Sequence, residues 1–201
     1  MKVVNIKVKP EYFEYVAKQI DNIEGTFVEM GFGEGYSANQ FARLMNEGKI
    51  AKRNLWLYDS FTGFPHPTKE DISPRKPFKG EWARPIEPAL AIKNKIDTNV
   101  EVVKGYFEEV LPQTYTGGPI AILHLDCDLY SSYKVCLENL YEKVAPGGAI
   151  LFDEYKSPVA LKNFPGASKA IDDFFVDKDI EFVMVQFPIA EQQRHYIIKP
   201  F

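Results

Sequence analysis

Acidic residues recur where apolar runs end. Glu29 follows Phe27-Val28, Asp59 follows Asn54-Leu-Trp-Leu-Tyr58, Asp126 follows Pro119-Ile-Ala-Ile-Leu-His-Leu125, and Asp153 follows Ala149-Ile-Leu-Phe152. Each run has the length and apolar content of a buried strand. Carboxylates at the C-termini of parallel strands share one edge of a sheet, the edge at which open α/β folds bind ligands. From adjacent strand ends, Asp126, Asp153 and Glu154 can converge on Mg2+, a hard cation that takes carboxylate oxygens and keeps waters for substrate to replace. Such a metal lowers the pKa of a bound hydroxyl and orients it for attack. Asp126 is also placed to act as general base. Two plainer roles stay open: Asp128 precedes Tyr130-Ser131 as a helix N-cap would, and Glu154 can be a solvated carboxylate.

The stretch Phe27-Val-Glu-Met-Gly-Phe-Gly-Glu-Gly-Tyr-Ser37 is the one these acids would be organised around. It reads as strand, glycine turn and helix N-terminus, with Gly31, Gly33 and Gly35 at alternate positions, a form that lets backbone approach a nucleotide-like ligand. A dinucleotide fingerprint needs G-x-G-x-x-G. Here the third glycine comes one residue early, and Tyr36 stands where that motif wants Gly or Ala. G-x-G-x-G behind an acidic strand residue suits S-adenosylmethionine, which has no pyrophosphate to seat on a helix N-terminus. Methyl transfer in turn suits the acids, because an alkoxide-like oxygen must attack in line with the sulfonium. The competing reading is a tight βα turn without a ligand. Asp59 can accept both hydroxyls of a ribose diol or cap the turn after its strand. Gly105-Tyr106-Phe107 lies where an adenine would rest, unless Phe107 simply packs its helix.

The elements that must position these residues follow from periodicity. Residues 3–8 predict an edge strand, and Pro10 opens a helix with Tyr12, Phe13, Val16 and Ile20 facing in. Phe41, Leu44 and Met45 mark the helix after the glycine turn, which Gly48 ends. A short helix near 89–96 precedes the strand 100–104, and a helical turn ends at Leu111-Pro112. Tyr133, Leu137, Leu140, Tyr141 and Val144 mark a helix that stops at Pro146-Gly-Gly148. A helix is expected from 166 to 177, then antiparallel strands at 180–187 and 195–199. Alternating strands and helices closed by a hairpin predict an open, mostly parallel α/β sheet with helices on both faces. Residues 62–88 differ in character: six prolines alternate with Phe64, Phe78, Trp82 and scattered cations. A loop this long is a lid over a polar ligand or a loose surface excursion.

At 201 residues one domain is expected, and a formal net charge of -4 with scattered basic residues argues against a nucleic-acid partner. No signal peptide or membrane-spanning run is read, and two cysteines, Cys127 and Cys136, suit a reducing cytoplasm. Cys127 lacks a histidine or CxxC partner, so a nucleophilic thiol is not expected. His66, His124 and His195 have no ligand spacing. His124, inside a buried strand, is expected to be hydrogen-bonded, and His66 is a weak contact from the lid.

In order along the chain come Glu29-x-Gly31 with Gly35-x-Ser37, Asp59-Ser-Phe-x-Gly63-x-Pro65, and Gly105-x-Phe107 with Leu111-Pro112. Leu125-Asp-x-Asp-Leu-Tyr-x-Ser132, Leu140-Tyr, Pro146-Gly-Gly148, Asp153-x-Tyr155 and Lys169-Ala170 with Asp173-Phe174 complete the set. From about residue 25 onward the chain resembles the macrocin O-methyltransferase (TylF-type) family of class I S-adenosylmethionine-dependent enzymes. The resemblance implies a seven-stranded Rossmann-like fold and methylation of sugar hydroxyls on natural products. It implies a cofactor site on Glu29, Gly31, Gly33, Gly35, Ser37, Asp59, Ser60, Phe61, Gly105, Tyr106, Phe107 and Asp126. It implies Mg2+ on Asp126, Asp153 and Glu154, with Asp126 as base. Glu154 departs from the family's usual aspartate, His124 from a common arginine and Tyr36 from a glycine. The segment 1–24 reads as a short N-terminal extension, whereas the family's longer helical part shapes the acceptor pocket and a homo-oligomer. The expected partner is a small hydroxylated acceptor, with a sugar first and a catechol-like diol as the alternative. A cofactor-binding protein without catalysis and a nicotinamide-dependent oxidoreductase are the remaining rivals.

Overall fold

A computed structural model describes residues 2–189 and 192–201. The strands in chain order are β1 (Lys2–Asn5), β2 (Thr26–Met30), β3 (Leu55–Asp59), β4 (Val100–Lys104), β5 (Ile120–Leu125), β6 (Val144–Phe152), β7 (Val183–Gln186) and β8 (Gln193–Ile198). They form one sheet in the order β1-β7-β8-β6-β5-β2-β3-β4. Pairing is parallel except around β8, which runs antiparallel to both β6 and β7. The expected closing hairpin is therefore present; its turn includes residues 190 and 191, outside the described residues. The sheet has eight strands rather than the implied seven, because β1 adds to the edge beside β7.

The helices are α1 (Lys9–Gln19), α2 (Tyr36–Asn46), α3 (Glu87–Ala91), α4 (Phe107–Thr114), α5 (Tyr130–Leu140), α6 (Pro158–Asn163) and α7 (Pro165–Phe175). They cover both faces. Phe13 and Val16 of α1 and Phe41 and Leu44 of α2 pack on Leu57, Ile122 and Leu151. On the other face Leu111, Tyr133, Leu137 and Ile171 pack on Met30, Leu123, Leu125 and Phe152. Alternation along β5 feeds both cores at once, which is why its sequence reads as almost continuous apolar residues. Among the described residues no helix is long and apolar enough to cross a membrane.

The C-terminal half departs from the periodicity in three places. Val144 is not the end of a helix: α5 stops at Leu140, a 3-10 turn covers Tyr141–Lys143, and β6 runs from Val144 through Pro146-Gly-Gly148. The end of the chain decides this. Gly147 N donates to Lys199 O at 2.8 Å, and Lys199 N donates to Gly148 O at 2.8 Å. The Lys199 ammonium also donates to the carbonyls of Tyr141 (3.0 Å) and Val144 (3.0 Å), which close the turn. Helix α6 was not anticipated, although Ser157-Pro158 is a start signal; Ser157 Oγ accepts from Ala160 N at 3.1 Å. Helix α4 continues past Pro112 to Thr114.

Arg53 fixes the approach to β2. It is 7% exposed and donates to four carbonyls: Ile20 (3.0 Å), Asp21 (3.1 Å), Ile23 (2.5 Å) and Gly25 (3.1 Å). These oxygens have no strand or helix to pair with, so one guanidinium does the work of a secondary-structure ladder. Arg53→Met should strand several of them and lower stability by about 2–4 kcal/mol in denaturant unfolding; an unchanged midpoint would show that water replaces the guanidinium freely.

Candidate active site

The chain reverses its direction of growth across the sheet between β2 and β5, and the crevice above that reversal is where an open α/β sheet binds its ligand. Gly31, immediately after β2, has φ +92, and a Cβ there would run into the carbonyl oxygen of Asp126. Only glycine fits. Gly33 has φ +53 and faces open space, and Gly35, φ +75, begins α2 against the ring of Phe32. Asp59 ties this turn down from the next strand. Its Oδ2 accepts from the amides of Phe32 (2.9 Å) and Gly33 (3.0 Å), and its Oδ1 accepts from Phe61 N at 2.7 Å. Its capping role is therefore realised, and about one acceptor position remains for a ligand hydroxyl.

Beneath the turn Glu29 is fully buried. Ser37 Oγ donates to Glu29 Oε1, and His124 Nδ1 stands 3.1 Å from the same oxygen. Burial, then the charges of Asp126 and Asp59, push the Glu29 carboxyl well above its ordinary range. Burial likewise holds the His124 imidazole down to about 4, so it is neutral. The expectation that His124 is hydrogen-bonded is met.

A cavity of about 550 Å³ opens over this rim. Of the expected cofactor residues, Gly31, Gly33, Ser37, Asp59, Ser60, Gly105, Tyr106, Phe107 and Asp126 line it. Glu29, Gly35 and Phe61 are not among its lining residues. Glu29 and Phe61 hold the lining residues in place, Phe61 by a left-handed turn at φ 55.

The same cavity is lined by Asp126, Asp128, Asp153 and Glu154. Burial opposes charge on Asp153, but Arg194 and Lys9 hold it well below the usual carboxylate range; Arg194 Nε lies 2.5 Å and Lys9 Nζ 3.7 Å from its Oδ1. Burial and the Asp153 charge push Asp126 up to about 7. Glu154 and Asp128 are driven well above their ordinary values by burial and by the neighbouring acids. Glu154 Oε2 accepts from Tyr133 Oη (2.8 Å) and from Asp128 N (3.2 Å). Asp128 is not the N-cap of α5. It adopts φ 60, and the first helical amide, Tyr130 N, donates instead to Asp71 Oδ1 at 2.8 Å.

Crowded acids that hold protons for want of positive charge are what a divalent cation would relieve. The donor set passes that test: oxygen-rich, anionic and partly open to the cavity, it fits a hard ion. Among the described residues, one oxygen each from Asp126 and Asp153 and one nitrogen of His124 lie within 4.8 Å of one another. Lys9, Arg194 and Tyr133 were not anticipated as site residues. Lys9 starts α1 and Arg194 sits on β8, so neither has a local signal; sheet pairing alone brings them in.

Residues 62–88 form a wall of the cavity rather than a loose excursion. Arg75 makes a two-point ion pair with Glu81 at 2.8 and 2.9 Å. Its guanidinium lies over the rings of Phe164 (4.6 Å) and Trp82 (5.3 Å). Phe64 stacks on Trp82 at 6.0 Å. Asp71, almost fully buried, links the segment to the start of α5.

A family model for macrocin-O-methyltransferase (TylF) matches residues 11–187. The chain belongs to that family. It is 30% identical over 143 residues to the 8-demethyl-8-(2,3-dimethoxy-alpha-L-rhamnosyl)-tetracenomycin-C 4'-O-methyltransferase of Streptomyces olivaceus, covering 67% of this chain and 54% of that protein. It is 26% identical over 168 residues to the demethyldecarbamoylnovobiocin O-methyltransferase of Streptomyces niveus, covering 80% of this chain and 62% of that protein. The matches thus span less than two thirds of the length of these two relatives. The fold is that of the O-methyltransferase NovP, with a TM-score of 0.77 at 22% identity, over 96% of this chain and 80% of that one. Family membership leaves the nicotinamide alternative without support.

Asp59→Ala would orphan three amides of the glycine turn and its neighbour. Exchange at Phe32, Gly33 and Phe61 should quicken by at least about tenfold in hydrogen-exchange measurements; unchanged protection would mean the turn is held by other contacts.

Proposed function

We propose that the chain is an S-adenosylmethionine-dependent O-methyltransferase that modifies a hydroxyl of a sugar or sugar-containing small molecule, with Mg2+ assisting. One observation carries this reading: the glycine turn and the acid cluster are two sides of a single cavity, joined where Gly31 packs against the Asp126 backbone. Two relatives whose names specify O-methylation of a rhamnosyl-bearing tetracenomycin and of a novobiocin precursor supply the acceptor class.

When bound, the cofactor would supply an electrophilic methyl group and a divalent ion would supply Lewis-acid polarisation of an oxygen. Asp126, Asp153 and Glu154 are the residues that would hold that ion. The turn at Gly31 and Gly33 forms the bed for the cofactor, Asp59 offers its remaining acceptor position to a hydroxyl, and Tyr106 offers a ring beside Gly105. Asp126 lines the cavity and is the group placed to accept the acceptor's hydroxyl proton. Asp153, fixed as a carboxylate by Arg194 and Lys9, keeps negative charge at the rim without moving a proton. The aromatic wall of Phe64, Trp82 and Phe164 limits water and presents ring faces to the acceptor.

Asp126→Asn tests the assignment. Turnover should fall by at least about 100-fold, while affinity for S-adenosylhomocysteine in calorimetry stays within about twofold. Retained turnover would remove Asp126 from the chemistry; absent cofactor binding in the parent protein would end the proposal. A panel of sugars and phenols, run with chelator and with Mg2+ restored, should show sugar methylation that stops and recovers with the metal. Faster methylation of catechols would move the acceptor to that class.

A further inference from the structure

His124 is buried in the centre of the sheet and has no task in the proposal above. It pairs across β2 with Glu29 and across β6 with Leu151. Side chains two residues apart along a strand leave the same face. His124 therefore shares its face with Asp126, and Leu151 shares that face with Asp153. The imidazole packs edge-on against Phe13 at 5.7 Å and is 1% exposed. Its Nδ1 is engaged by Glu29 Oε1 at 3.1 Å, whereas among the described residues Nε2 has no hydrogen-bond partner, nor has Glu29 Oε2.

A buried nitrogen without a partner carries its full desolvation penalty, and a buried imidazole normally finds something to bind. The ring contributes a nitrogen to the trio whose donor atoms lie within 4.8 Å of one another, the others being oxygens of Asp126 and Asp153. With Nδ1 engaged by Glu29, Nε2 is the nitrogen left without a partner. Glu154, by contrast, has Oε2 committed to Tyr133 and the Asp128 amide.

We infer that His124 Nε2 is a ligand of the divalent-cation site together with Asp126 and Asp153, and that Glu29 is the positioning residue that orients it. Nδ1–H then donates to Glu29, which Ser37 holds in turn. This is the arrangement in which a hydrogen bond to the other ring nitrogen fixes a ligand's tautomer and ring orientation. The inference rests on the metal reading above and deepens it. One nitrogen in the donor set shifts preference from Mg2+ toward Mn2+ and Co2+, ions that accept imidazole readily.

The test needs no turnover. Mn2+ is titrated into the intact protein by calorimetry, and the bound ion is interrogated by electron spin echo spectroscopy for coupling to 14N. Wild-type protein should show a nitrogen coupling. His124→Gln, checked for an unchanged melting temperature, should lose it and bind Mn2+ and Co2+ at least about tenfold more weakly, with Mg2+ affected far less. Glu29→Gln should keep the coupling and weaken Mn2+ binding. Mn2+ bound by wild type without nitrogen coupling overturns the assignment of His124 and leaves the metal reading intact. No binding of any divalent cation overturns both. If His124→Gln does not fold, the wild-type spectrum alone decides.

Discussion

Where Gly31 passes the end of β5, backbone meets backbone with no room for a side chain, and the rest of the site is measured from that contact. The surrounding strand ends are locked to it by hydrogen bonds that run one residue past the sheet. Gly31 N donates to Tyr58 O (2.9 Å), Asp126 N to Met30 O (3.0 Å), Asp153 N to Leu125 O (3.0 Å) and Gly105 N to Asp59 O (3.1 Å). Each chemistry-bearing segment is thus registered to its neighbour before its side chain is considered. A rim built this way places carboxylates with the precision of a sheet rather than of a loop, which is what a metal or a methyl acceptor demands.

That precision has an electrostatic consequence. Strand ends in register bring Asp126, Asp128, Asp153 and Glu154 into one cavity, where burial and mutual repulsion favour protons over charge. Arg194 and Lys9 pair directly with Asp153, and Arg194 also favours charge on Asp126 and Glu154, but there burial outweighs it. Repulsion left standing in a folded protein is a store of affinity for whatever cation enters. It also sets the acids apart: Asp153, pinned by arginine, is held well below the usual carboxylate range, whereas burial pushes Asp126 up to about 7.

Much of this was legible in the sequence, for a physical reason. Strands buried on both faces must be apolar along their length, so β2, β3, β5 and the end of β6 announce themselves, and a polar residue at the end of such a run can only lie on the rim. Asp59, Asp126 and Asp153 were found that way. What the sequence hid depends on contacts distant along the chain. The start of β6 reads as helix until Lys199 pairs with it; Asp128 looks like a cap until Asp71, from the middle of a proline-rich segment, takes the position. Lys9 and Arg194 lie 144 and 41 residues from Asp153 (153 − 9 and 194 − 153), and no local pattern connects them. Glu29 precedes the glycines, but what meets its buried side chain, Ser37 and His124, lies 8 and 95 residues away.

The two sides of the cavity are also built by different means. The side at Gly31 is backbone, held by sheet hydrogen bonds and by a glycine that leaves no room for a Cβ. The opposite wall is side chain: Arg75 between Phe164 and Trp82, Phe64 behind them, and Asp71 anchoring the segment to α5. No strand of the sheet passes through that wall, and Arg84 touches the glycine turn there through an ion pair with Glu34 at 3.6 Å. The relatives matched here carry names with chemically distinct acceptors, a rhamnosyl-bearing tetracenomycin and demethyldecarbamoylnovobiocin. Residues 62–88 and Phe164 are thus the part of the cavity whose shape is set by side chains rather than by backbone.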